Sequence, residues 1–112
     1  MAVTVISTGG TIASTDSSGD GAAPELTAEN LVDAVPGLGD AVDIETRDFS
    51  NVPSPHFTIE QMHDLVEVIR DLDADPDVDG MIVTQGTDIL EESAYFVDLC
   101  YDGSTPLAFT GA

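Results

Sequence analysis

The segment "GMIVTQGTDILEES", residues 80–93, changes character twice within fourteen residues. Met81, Ile82 and Val83 form an apolar run too short for a helix and bounded by glycine, which predicts a buried strand over 80–84. Gln85-Gly86-Thr87 is an uncharged corner, and Asp88 then opens an amphipathic stretch that predicts a helix from Ile89 to Tyr101. Strand, corner and helix in this order are half of a βαβ unit. Acids occur almost everywhere in the chain, so composition does not say whether Asp88 is one more surface charge or part of a site.

The rest of the chain repeats the pattern. "VTVIS" (3–7) is a β-branched run followed by the turn-rich "TGGTIASTDSSGDGAAPE", whose second half reads as a mobile loop. "LTAENLVDAV" predicts a helix with Thr27 as N-cap, ended by Pro36-Gly37. "AVDIETRDF" predicts a strand with Val42, Ile44 and Thr46 facing inward. "FTIEQMHDLVEVIRDL" is the clearest helix: Thr58 and Gln61 form a capping box, and Met62, Leu65, Val66, Ile69 and Leu72 share one face. "PLAFT" (106–110) predicts a last strand. Strands alternating with helices define an α/β chain, a parallel-type sheet of βαβ units flanked by helices. The 112 residues fit a single domain.

In such sheets ligands bind beyond the carboxyl ends of the strands. Three corners follow apolar strands here: Thr8-Gly9-Gly10-Thr11, Gln85-Gly86-Thr87-Asp88 and Gly111-Ala112. If the strands are parallel neighbours, the corners converge on one sheet edge.

Composition narrows the partners. The formal net charge is −20, from 22 Asp and Glu against Arg47 and Arg70, with no lysine. Such a surface repels phosphate backbones and anionic membranes, which argues against nucleic acid and membrane partners. With 42% hydrophobic residues, the chain still has core formers enough to fold. Cys100 is the only cysteine, so no intrachain disulfide forms, and its place on an apolar helix reads as a buried, inert thiol. No signal peptide and no membrane-length apolar run is evident, and the expected location is cytoplasmic.

Each candidate has a plainer reading. "STGGTIAS" lacks the Gly-Lys-Ser/Thr of a phosphate-binding loop and the spacing of dinucleotide folds, and by itself is a tight βα turn. "DPDVDG" (75–80) has the first half of a calcium loop, but Gly86 stands where a bidentate Glu is required, so a turn is the better reading. His56 and His63 have no convergent ligand set for zinc. Neither a metal nor another cofactor is expected. Glu91 and Glu92 read as a solvated face. Thr87 and Asp88, taken singly, read as helix caps.

Taken together, "STGGTIAS" and "VTQGTDILEESAYFVDL" resemble both signatures of the bacterial-type L-asparaginase/glutaminase family, and "LTAENLVDAVPGL" and "LAFTGA" resemble its intervening and following segments. The resemblance covers the whole chain. It implies hydrolysis of L-asparagine, or of L-glutamine, to the acid and ammonia through a threonine nucleophile. Thr11 falls on the nucleophile. Thr87 and Asp88 fall on the second catalytic threonine and its acidic partner, which also holds the substrate ammonium. Gly10 lies close to the substrate, Ser54 falls on a serine contacting the α-carboxylate, and the Ala112 backbone falls near the reacting amide.

Three departures shape the expectation. The family's activating lysine has no counterpart here. The family chain is roughly three times longer, with a C-terminal domain, so residues 1–112 are expected to be an incomplete N-terminal domain whose full-length form is a homo-oligomer. The expected lid tyrosine is not evident, and Gln85 replaces the more usual His. The lysine-free, acid-rich composition also resembles proteins of salt-accumulating haloarchaea. Two alternatives stay open: the asparaginase-like subunit of the archaeal amidotransferase acting on Glu-tRNA(Gln), and a non-catalytic amino-acid-binding or assembly module.

Overall fold

The computed structural model describes residues 1–9, 28–49 and 57–111, together with the backbone of 14–16 and 22–24. Four parallel strands form the main sheet. β1 (Ala2–Ser7) pairs on one side with β4 (Asp43–Asp48) and on the other with β5 (Gly80–Thr84), and β5 pairs with β6 (Leu107–Thr110), for an order of β4-β1-β5-β6.

Register and the two-residue strand period sort the side chains. Ile6 pairs with Val83, which pairs with Phe109; Thr4 pairs with Met81, which pairs with Leu107. These residues therefore share one face, and Val5, Ile82 and Ala108 share the other. The first face is covered by α3 (Ile59–Asp73) and α4 (Leu90–Cys100). Met62, Leu65, Val66 and Ile69 of α3, with Val97 of α4, join Ile6, Met81 and Val83 in one buried cluster. Each large apolar side chain buried there contributes roughly 1.5–3 kcal/mol. Thr58 caps α3 as its sequence pattern predicts: its hydroxyl accepts from the Gln61 amide at 3.2 Å, and the Gln61 side chain accepts from the Thr58 amide at 2.8 Å.

α1 (Ala28–Asp33) contacts β1 and β4, and Ala28 is fully buried outside the main cluster. Its first amide is held by the Asp48 carboxylate at the end of β4, at 2.7 Å. The sheet thus lies between helices on both faces.

The elements follow the sequence reading with four corrections. The helix expected over "LTAENLVDAV" ends at Asp33, and a separate short turn of helix, α2 (Leu38–Ala41), follows Gly37, whose φ is 78°. The Thr27 cap lies outside the described residues. Thr46, expected inward, is exposed, because β4 is an edge strand with only Ile44 half-buried. Two short strands, β2 (Ser14–Asp16) and β3 (Ala22–Pro24), pair antiparallel within the segment expected to be mobile loop. Cys100, expected buried, is half-buried.

Topology locates the functional edge. The chain steps from β1 outward to β4, then crosses back over β1 to β5 and continues to β6. This reversal separates the connections leaving β1 from those leaving β5 and opens a crevice at their carboxyl ends, the place where ligands bind in doubly wound sheets.

Candidate functional site

The described parts of the corners meet at that crevice. The backbone amide and the hydroxyl of Thr8 both donate to the Thr84 carbonyl, at 3.1 and 2.9 Å, locking the exit of β1 against the exit of β5. Gly9 follows with φ of 89°, a left-handed conformation open to glycine at no steric cost. On the other side the Gln85 amide donates to the Thr110 carbonyl at 3.0 Å, extending the ladder to β6. A Cβ at Gly111 would stand 2.5 Å from the Gln85 carbonyl oxygen, so only glycine allows this approach. The three strand exits are therefore adjacent, as the sequence reading requires.

Within the second corner, burial divides sharply. Thr84, Gln85 and Gly86 are buried, whereas Thr87 and Asp88 are exposed. The N-cap position of α4 is Ile89, and no side-chain hydrogen bond caps the helix. The capping role expected for Thr87 and Asp88 is therefore not taken up, and helix N-termini in general favour polar or anionic groups. Asp88 stands just before this one, with a carboxylate suited to an ammonium group.

Gly10, Thr11, Ser54 and Ala112, the other expected site residues, lie outside the described residues, as does His56. His63 is exposed on α3. In the 75–80 segment, the Asp75 carboxylate accepts from the Asp77 amide at 2.9 Å, and the Asp79 carboxylate accepts from the Ala2 amide at 2.9 Å. The acids there build a turn and tie it to β1. No group of three metal-ligating side chains occurs among the described residues.

Sequence reasoning missed two interior groups. The Gln85 side chain is 1% exposed and Ser93 0%, and the Gln85 amide nitrogen, its carbonyl oxygen and the Ser93 hydroxyl have no hydrogen-bond partner. In the sequence Gln85 reads as the start of a corner and a replacement for His, not as an interior group. The apolar company of Met81 and Val83, two and four residues before it on the same strand face, was the available signal. An open groove of about 520 Å³ between α4 and β6, lined by Tyr95, Val97, Tyr101, Leu107 and Phe109 among others, contains no corner residue.

An α/β sheet with small, glycine-bearing corners and an acid–hydroxyl pair at its switch point defines a class of site for small polar ligands. Residues 2–112 match the family model "Asparaginase, N-terminal", and the chain belongs to that family. It is 35% identical to L-asparaginase 2 of Bacillus subtilis and 38% to the L-asparaginase of Bacillus licheniformis, in each case over 98% of this chain but only 30% and 34% of those proteins. Among solved structures, the probable cytoplasmic L-asparaginase of Campylobacter jejuni superposes with a TM-score of 0.84 at 32% identity, covering 99% of this chain and 32% of that one. The thermostable L-asparaginase of Thermococcus kodakarensis gives a TM-score of 0.86 at 27% identity, covering 99% and 34%. The chain thus spans about a third of the length of these relatives.

Proposed function

We propose that the full-length protein is an L-asparagine amidohydrolase and that residues 1–112 supply half of its catalytic site. The observation that carries this reading is the exposed, non-capping Thr87–Asp88 pair at the crevice between β1 and β5. Amide hydrolysis needs a nucleophile, a proton acceptor and donors aimed at the developing oxyanion. Thr11, a few residues beyond the β1 exit, is the nucleophile. Thr87 and Asp88 form the second catalytic pair, with Asp88 also binding the substrate's α-ammonium. Gly10, Ser54 and the Ala112 backbone complete the substrate contacts. A threonine hydroxyl attacks only when a neighbour takes its proton, and a chain without lysine leaves that activation to residues beyond these 112.

The reading extends to setting. Residues 1–112 form most of an N-terminal domain whose partner domain follows, in a homo-oligomer located in the cytoplasm of a salt-adapted cell. Its acidic surface and missing lysines suit a concentrated salt solution, in which self-repulsion is screened.

The test is twofold. Full-length protein at molar salt releases ammonia from asparagine, whereas the 112-residue chain releases little or none; activity of the isolated chain would overturn the half-site reading. In full-length protein, Asp88→Ala weakens aspartate binding at least tenfold by calorimetry, as expected for loss of one charge-assisted contact worth about 1.5–3 kcal/mol. Unchanged binding would remove the ammonium contact.

A further inference from the structure

The strand exits are joined in a row by two backbone peptides. The Ser7–Thr8 peptide is bonded at both ends: the Ser7 carbonyl accepts from the Phe49 amide just beyond β4 at 2.8 Å, and the Thr8 amide donates to the Thr84 carbonyl of β5 at 3.1 Å. The Thr84–Gln85 peptide is bonded in the same way, its carbonyl to Thr8 and its amide to the Thr110 carbonyl of β6 at 3.0 Å. A peptide unit is planar and stiff, so two of them in series set the spacing of all four exits.

A side chain reinforces the row between its two middle strands. The Thr8 hydroxyl donates to the Thr84 carbonyl at 2.9 Å, alongside the Thr8 amide, and the two lone pairs of that oxygen accommodate both donors. Any residue but proline at position 8 could make the amide bond. The hydroxyl bond belongs to this side chain, and with it a shift of Thr8 against Thr84 breaks two bonds instead of one. The link is buried, with Thr8 1% exposed and Thr84 6%, so water does not compete for it and Thr8 does not reach the crevice. Beyond Thr8 the chain passes to Gly9, whose φ of 89° is open to it because no Cβ restricts it. Thr8 is thus the anchored side chain that precedes the corner carrying Thr11, and its anchor is the peptide that opens the corner carrying Thr87 and Asp88.

We propose that Thr8 is a positioning residue: its hydroxyl holds the Thr11 corner in fixed relation to the Thr87–Asp88 corner, so that a substrate anchored through its ammonium at Asp88 presents its amide to the Thr11 hydroxyl. Thr8 does not touch the substrate. The role rests on the amidohydrolase reading above. Loosening the link leaves the ammonium contact in place and spoils the approach of the nucleophile, a fault that falls on kcat and not on KM.

The experiment uses the full-length protein at molar salt and the variants Thr8→Val, Thr8→Ala and Thr8→Ser. Valine keeps the branched shape and the backbone bond but loses the hydroxyl, alanine covers the case in which a methyl against the Thr84 carbonyl prevents folding, and serine keeps the hydroxyl. Thr8→Val and Thr8→Ala are each expected to lower kcat for asparagine, per folded molecule, by about tenfold or more, with KM and calorimetric aspartate affinity within about threefold of wild type. Thr8→Ser is expected to keep kcat within about threefold. Near-wild-type kcat without the hydroxyl, a serine variant as impaired as the valine one, or a loss carried by KM would each overturn the role. Failure of both hydroxyl-free variants to fold would also overturn it, making Thr8 a residue of stability alone. Inactive wild-type protein would refute the amidohydrolase reading and the positioning role with it, whereas active wild type beside an unimpaired Thr8→Val would refute the positioning role alone.

Discussion

Gly111 shows how a single position constrains the site. The Gln85 N–H is held by the Thr110 carbonyl at 3.0 Å, and the Gln85 carbonyl oxygen that follows lies beside residue 111. A methyl group at 111 would meet that oxygen at 2.5 Å and the Leu90 side chain at 3.1 Å. Gly111→Ala is therefore expected to destabilise the fold by about 1–3 kcal/mol, the usual cost of overpacking. It appears as a lowered urea midpoint at unchanged m-value; a midpoint within error of wild type would show that the corner yields freely. The sequence marked Gly111 as part of a corner, and its necessity there came from the approach of residue 85, which lies twenty-six positions earlier. Thr87 and Asp88 draw notice in the sequence because both are polar at a strand end. That they stand free of α4 is not evident there, since a polar residue before a helix is by default its cap.

Among the elements, the long helix α3 and strand β5 were readable almost to the residue, because each combines a clean period with a stop signal at both ends. β4 was read as a strand, but its burial was not, because an edge position is a property of strand order. The joint between α3 and α4 is another product of tertiary packing. The Arg70 guanidinium donates to the Cys100 carbonyl at 2.7 Å, supplying the positive charge that the last turn of α4 lacks, and also meets Glu67 at 3.0 Å. Nearby, Asp73 accepts from the Thr105 amide and from the Tyr101 hydroxyl, each at 2.9 Å. Tyr101 also lies 2.8 Å from the Thr105 carbonyl, but its single proton favours the charged acceptor. A Cβ at Gly103 would collide with the Asp73 carboxylate.

These bonds, led by those from Thr105, hold the Asp73 carboxyl below its ordinary range, while burial, with help from Asp73, pushes the Tyr101 phenol upward. A carboxylate with a lowered folded pKa stabilises the fold above its ordinary pKa and loses that contribution as pH falls through the folded value. The wild type is thus expected to lose stability below about pH 4 more steeply than Asp73→Asn, in melting temperatures followed across the acid limb. Parallel acid limbs in the two proteins would show that the joint carries no such linkage. The raised phenol acts in the opposite sense: its contribution is present below its ordinary pKa and lost as pH rises through the folded one. Tyr101→Phe, which removes the hydroxyl alone, is expected to cost about 1 kcal/mol near neutral pH.

The whole molecule is governed by charge. With a formal net charge of −20 on 112 residues, self-repulsion acts against the compact state over a Debye length of about 10 Å at 0.1 M salt and about 3 Å at 1 M. Raising potassium chloride from 0.1 to 2 M is expected to lift the melting temperature by roughly 5–10 °C, and sodium chloride by a similar amount, since screening does not discriminate between them. A flat response would mean that the acids are already accommodated at low salt. Among the described residues no helix is long and apolar enough to cross a membrane.

Local periods of two and 3.6 residues are written into the chain, and with the turn residues between them they sufficed to establish the alternating strands and helices, the α3 cap and the glycine-bearing corners at strand ends. Strand order is not local. That β1 stands between β4 and β5, that the chain reverses there, and that residues as far apart as Thr8 and Thr84 share a hydrogen bond were settled only when the strands paired. The same pairing fixed which residue had to be glycine, left Ile89 to open α4 without a side-chain cap, and closed Gln85 and Ser93 inside the fold. Each depends on what the folded neighbour presents, and no spacing along the chain records it.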